Sequence, residues 1–307
     1  MSMSKHTHDH QEHAHHNHDS SQLSGKKIAG VTLLNALITV AEIVGGLVSG
    51  SLSLLSDALH NLSDTLSIII AYIASRIALR PKNERKTFGY KRIEILSAFI
   101  NGLTLSIISL FLITEAIQRF MDPQVIETGL MLTVAIIGFV ANLVSVFLLE
   151  KDSHHSLNIK ASYLHLLADT LSSVGVILGA LAIRYLGWTW VDALLTCVIA
   201  LYILFETFHI LKKTLDILMQ ASPKLDYAAI RKDIEAMDSV KNIHHIHAWN
   251  MDEKNIYFEA HIEFEDKRLS ELQPILKEIE HHLKHAYNIH HVTLQAECDA
   301  CSTKEIF

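Results

Sequence analysis

Between about residues 26 and 213 the chain alternates long apolar runs with short polar ones. The apolar runs fall at about 27–49, 52–79, 94–119, 126–149, 160–184 and 189–211. Each approaches or exceeds the roughly 20 residues that an α-helix needs to cross the hydrocarbon core, so the pattern predicts six membrane spans. Several runs carry polar residues along one side, which suits a bundle with a polar interior. Only a few residues separate the first run from the second and the fifth from the sixth, so each of these pairs is an antiparallel hairpin. From Pro223 the periodicity changes. Residues 226–238 place Ile230, Ile234 and Met237 on one helical face, 243–249 and 256–264 read as strands, 270–286 as a helix and 290–296 as a strand. The order αββαβ predicts a small α+β sheet with its helices on one face. The expected fold class is therefore an α-helical membrane protein, a six-span bundle followed by a small α+β domain. The expected divisions are a disordered His-rich tail at 1–25, the bundle at 26–213, a linker at 214–222, the soluble domain at 223–297 and a Cys-containing tail at 298–307.

Charge orients the bundle. One side of the spans collects Lys26, Lys27, Arg76, Arg80, Lys82, Arg85, Lys86, Lys91, Arg92, Lys151, Lys160, Lys212 and Lys213, and the other has only Arg119 and Arg184. The basic side is cytoplasmic by the positive-inside rule, which puts both termini and the soluble domain there. Met1 to Ser24 has no apolar segment, so no signal peptide is expected. The net charge of -7 argues against a nucleic-acid partner, and three Cys cannot build a disulfide framework.

The second span, "SLSLLSDALHNLSD", places ionisable groups where lipid should exclude them. His60 and Asp64 lie one turn apart on one face, and the fifth span repeats the spacing in His165 and Asp169. An uncompensated charge at mid-bilayer costs a few kcal/mol, so two matched pairs on different spans point to a bound ion. Two imidazoles and two carboxylates suit tetrahedral zinc, whereas carboxylates alone would favour harder ions. Asp57 lies three residues before His60 as an accessory carboxylate, although the equivalent position of the fifth span is Ser162. Asn35, Glu42, Asn101 and Asn142 are further candidates for lining a cavity or bonding between helices.

These residues resemble the cation diffusion facilitators, in their zinc-type branch. The resemblance is carried by "SLSLLSDALHNLSD", "FGYKRIEILSAFING", "NIKASYLHLLADTLSSVGVI", "WVDALLTCVIALYIL" and "HHIHAW", and it covers nearly the whole chain after residue 26. It implies a homodimeric, six-span metal/proton antiporter with a ferredoxin-like cytoplasmic domain, and a transport site at His60, Asp64, His165 and Asp169. It also implies zinc preference, because the second span keeps its His. Cadmium or cobalt are further possible cargoes, and a bacterial inner membrane is the expected location. Binding metal requires neutral imidazole and ionised carboxylate, so protons and zinc compete for the same groups. Alternating exposure of such a site would export zinc from the cytoplasm in exchange for protons.

The resemblance also places regulatory zinc at His244, His261, His291 and Glu297. Strand alternation sets His245 and His247 on a face opposite His244. Cys298 and Cys301 have C-x-x-C spacing suited to a soft metal, either completing that site or forming another. His281, His282 and His285 read as a solvated helix face. The N-terminal tract has seven His in thirteen residues, His6, His8, His10, His13, His15, His16 and His18, and is expected to gather metal by composition rather than through one defined site. His154 and His155, between the fourth and fifth spans, could do the same. The basic loop "RIALRPKNERKTFGYKRIE" has no His or Cys, so no metal site is expected in it; Lys91 or Arg92 is expected to pair with an acid such as Asp216.

A membrane-anchored zinc sensor is the main alternative, but it has no need of paired ligands inside the spans. A channel needs weak multi-site binding. No nucleophile–base pair, nucleotide loop or organic cofactor motif suggests an enzyme.

Overall fold

The computed structural model describes residues 18–153, 157–298 and 305. Six long helices come first: α1 (His18–Ser49), α2 (Leu52–Ala78), α3 (Arg92–Met121), α4 (Thr128–Ser153), α5 (Leu157–Leu186) and α6 (Trp190–Leu218). Five of them are long and apolar enough to cross a membrane, α1 through Gly30–Ser49 and α5 through Tyr163–Leu186. The remaining one, α2, is 27 residues long, and the polar residues it carries lower its hydropathy. Leu33, Leu37, Leu171, Leu178, Val198 and Leu201 stay exposed on these helices, as side chains do when lipid is the solvent.

Two boundaries differ from expectation. Helix α1 begins at His18, inside the stretch expected to be a disordered tail, because extending a formed helix is far easier than nucleating one. Helix α6 runs to Leu218 and absorbs half of the expected linker.

The chain divides into two compact units, residues 1–65 with 109–202, and residues 66–108 with 203–307. In the first unit α4 packs against α1 and α5. Close approach depends on missing side chains: a Cβ on Gly45 would lie 2.7 Å from Val134, and one on Gly138 would strike the carboxylate of Glu42. Leu54, Met131, Ala135, Val176, Ala180 and Ile183 form one buried cluster. Gly50, at φ +72°, turns α1 into α2. The buried Asp192 of α6 receives the N-terminus of α2, accepting from the Leu52 amide (2.8 Å), the Ser53 amide (3.2 Å), the Ser51 hydroxyl (2.7 Å) and the Ser53 hydroxyl (2.5 Å). A neighbouring helix thus supplies the cap for two of the free donors of α2.

The second unit contains the soluble domain: α7 (Tyr227–Glu235), β1 (Val240–Asn250), β2 (Ile256–Phe264), α8 (Leu269–Ala286) and β3 (Ile289–Glu297). The αββαβ order is as expected. The sheet has order β1-β2-β3, antiparallel between β1 and β2 and parallel between β2 and β3, with α8 as the crossover. Ile230 and Ile234 of α7 and Leu272, Ile279 and Leu283 of α8 pack with Ile243, Ile246, Phe258, Ile262 and Phe264 into one core. Even-numbered residues of β2 face that core, leaving Tyr257, Glu259, His261 and Glu263 to the opposite face. Within this unit Lys91 lies 3.8 Å from Asp252 rather than pairing with Asp216. Asp252 also accepts from the amides of Lys254 and Asn255, both at 2.8 Å, so a turn already organised by the carboxylate draws the lysine. Burial raises the Asp252 pKa, but those bonds and Lys91 outweigh it and leave the carboxyl below its ordinary value.

Candidate metal centre

Helices α2 and α5 run antiparallel and bring their His–Asp pairs together. His165 Nε2 lies 3.0 Å from Asp64 Oδ2 and 3.5 Å from Asp169 Oδ2, and His60 Nε2 lies 3.5 Å from Asp64 Oδ2. The two imidazoles meet edge to face with centroids 5.8 Å apart. Ligand atoms of His60, His165 and Asp169 all lie within 4.8 Å of one another. Asp64 Oδ2 and Asp169 Oδ2 are buried, yet neither accepts a hydrogen bond of good geometry. Imidazole nitrogens and carboxylate oxygens gathered this closely attract a cation, whether a proton shared between them or a metal ion held by all of them. The donor set fits a borderline divalent ion held by imidazole and carboxylate.

Around this group are polar contacts that spacing alone did not identify. Asp57 is buried and accepts a 2.7 Å hydrogen bond from Ser172 of α5. Because the helices are antiparallel, the neighbour of a residue before His60 is a residue after Asp169, not Ser162. Glu42 of α1 is buried and accepts from Asn61 Nδ2 at 3.1 Å. Asn142 is fully buried with neither amide atom hydrogen-bonded, and Asn35 Oδ1 is likewise unbonded. In the second unit Asn101 lines a cavity of about 240 Å³ with Ser67, Glu94 and Ser97.

A second group forms on the sheet face opposite the helices. His244 and His261 are register partners, as are Glu263 and Glu297. His261 Nδ1 lies 2.8 Å from Glu297 Oε1, and His244 Nε2, buried and without a hydrogen bond, lies 3.4 Å from Glu297 Oε2. His244, His261 and Glu297 could jointly hold a metal. His291 is not brought to them: it lies six residues before Glu297 on β3, about 20 Å along the strand, with its ring 4.8 Å from that of Tyr257. Cys298, just beyond β3, is an exposed free thiol.

The expected alternation fails here: His244 pairs with His261 and His247 with Glu259, so both lie on the face away from the core, His244 buried and His247 exposed. A bulge between His244 and His247 puts His245 at φ +51° and brings its ring within 4.6 Å of His261 and 4.7 Å of His247. The amide of His245 donates to the carbonyl of Glu305 at 3.1 Å. His6, His8, His10, His13, His15, His16, His154, His155 and Cys301 lie outside the described residues, as does the side chain of His18.

Comparison with known proteins identifies the family. Residues 29–219 match the family model "Cation efflux transmembrane domain", and residues 222–298 match "Cation efflux protein, cytoplasmic domain". The chain is 40% identical to the "Cadmium, cobalt and zinc/H(+)-K(+) antiporter" of Bacillus subtilis, over 92% of each protein. It is 37% identical to the "Metal cation efflux system protein CzcD" of Cupriavidus metallidurans, over 94% of this chain and 91% of that one. The "Zinc transporter ZitB" of Escherichia coli is 37% identical, over 85% of this chain and 84% of its own. With both domains matched and imidazole–carboxylate pairs facing each other across two of its helices, the chain belongs to the cation diffusion facilitator family, in its zinc-type branch.

Proposed function

We propose that the protein is a six-span exporter that carries Zn²⁺ out of the cytoplasm in exchange for protons. Helix α2 spans the membrane with the other five, its polar residues facing the bundle rather than lipid. His60, Asp64, His165 and Asp169 form the tetrahedral transport site. The observation that carries this reading is the convergence of the two His–Asp pairs, with His165 Nε2 3.0 Å from Asp64 across the two helices and both carboxylate Oδ2 atoms buried. Zinc satisfies that geometry, and so do protons, one cargo at a time. When the site faces the cytoplasm, ionised carboxylates and neutral imidazoles take the metal. When it faces the more acidic side, protonation of the same groups discharges it, and the protonated site returns.

The relatives' names support cadmium and cobalt as further cargo and protons as the counter-ion. Both termini are cytoplasmic, in a bacterial inner membrane. The protein acts as a homodimer joined through its soluble domain, with His244, His261 and Glu297 holding a regulatory or structural zinc and the N-terminal His tract gathering metal. The tract and the Cys298–Cys301 pair join this reading through residue chemistry alone.

The test is zinc uptake into proteoliposomes bearing an imposed pH gradient. Uptake is expected to need the gradient and to be abolished in Asp64→Ala. Full uptake by Asp64→Ala would sink the proposal.

A further inference from the structure

We propose that His281 and His285 on α8 form a separate surface site for a borderline divalent cation such as Zn²⁺, Co²⁺ or Ni²⁺. The two residues are four apart, so they project from one helix face one turn apart. Their rings are already together, with centroids 4.2 Å apart and planes 37° from parallel. Both side chains are exposed. Two histidines at this spacing on one helix face hold zinc wherever the geometry allows both nitrogens to reach within about 2.0–2.1 Å of one ion.

The third histidine of the cluster accounts for how this face is presented. His282 Nε2 lies 3.1 Å from Asp233 Oδ2, and Tyr287 Oη donates to the same oxygen at 2.7 Å. These contacts tie one side of α8 to α7, and buried Leu272, Ile279 and Leu283 seat it on the sheet. Helix rotation is thereby set, and the His281–His285 edge is turned to solvent.

Flanking charges leave the site open. Lys277 and Glu278 stand one turn before His281 with opposite signs, and Lys284 is engaged by Glu280. Two imidazoles supply half of a tetrahedral shell, and water can complete it. Hard ions such as Mg²⁺ prefer oxygen ligands and should not bind. This site does not depend on the transport reading and shares no residue with the groups around Asp64 or Glu297.

Carbethoxylation of histidines in the full-length protein, mapped by mass spectrometry, tests it directly. Zn²⁺ is expected to slow modification of His281 and His285 together, while exposed His290 stays reactive and Mg²⁺ protects neither. In His285→Gln, zinc should no longer protect His281. The proposal is overturned if zinc does not protect the pair, if protection of His281 survives in His285→Gln, or if Mg²⁺ protects equally. Protection that extends to His290 to the same degree overturns it too.

Discussion

At the scale of single residues, the chemistry of the membrane group was legible and its surroundings were not. His60, Asp64, His165 and Asp169 stand out because ionisable side chains are rare in apolar runs and the i, i+4 spacing repeats. Ser172, Asn61 and Asp192 do not stand out, since a Ser or Asn in a span is commonplace and an Asp in the first turn of α6 already suits that helix's own dipole. In the soluble domain three histidines that look alike in sequence divide into an inward partner of Asp233 and an outward pair.

The Asp233 contact has a defined pH dependence. The Tyr287 hydroxyl and then His282 hold its carboxyl below an ordinary value of 3.8, while burial and Asp233 push Tyr287 up to about 12. A depressed carboxylate stabilises the fold above its ordinary value and loses that contribution as pH falls through the lower, folded value. The tyrosine's part is present below its ordinary value and is lost only as pH rises through about 12. Hydrogen exchange of α7 amides should therefore quicken as pH falls below 3.8, once intrinsic rates are removed. Asp233→Asn should flatten that dependence; an unchanged profile would show that the contact contributes nothing.

At the scale of elements, apolar periodicity placed all six long helices and the αββαβ order, with most boundaries within a few residues. It missed the helical extension of α1 to His18 and of α6 to Leu218, because polar continuations of a helix carry no hydropathy signal. It also missed the bulge at His245, which depends on pairing with β2 rather than on local preference. Helix α2 depends on a neighbour for its start. Asp192→Ala removes its cap and leaves the hydroxyls of buried Ser51 and Ser53, 3.2 Å apart, with only each other to bond. The expected loss is about 2 kcal/mol, combining a cap with one buried hydroxyl left without an acceptor. Asp192→Asn, which keeps one accepting oxygen, should lose less. Thermal unfolding in detergent compares the two, and equal behaviour of Asp192→Ala and the native chain would remove Asp192 from this role. The Lys91–Asp252 contact is a weaker matter: Lys91 is well exposed, and such pairs contribute about 0–1 kcal/mol.

At the scale of the whole molecule, a metal held in the soluble domain would be coupled to its fold. His244 and Glu297 are buried side by side, which favours a bound cation. Zinc at about a hundred times its dissociation constant should stabilise β2 and β3 by about 2.7 kcal/mol, read as slower hydrogen exchange. The gain should vanish in Glu297→Gln and persist in Asp64→Asn, whose lesion lies in the other group. A gain untouched by Glu297→Gln would mean that zinc acts elsewhere.

The sequence by itself determined the elements, the membrane class and the two His–Asp pairs, because burial in lipid and helical spacing are local properties of the chain. Only the tertiary structure decided which residues complete each group. Antiparallel packing of α2 on α5 gives Asp57 to Ser172. The parallel register of β3 on β2 sets Glu297 beside Glu263 and keeps His291 with Tyr257. Such pairings follow from how elements meet, and a one-dimensional pattern carries no record of that.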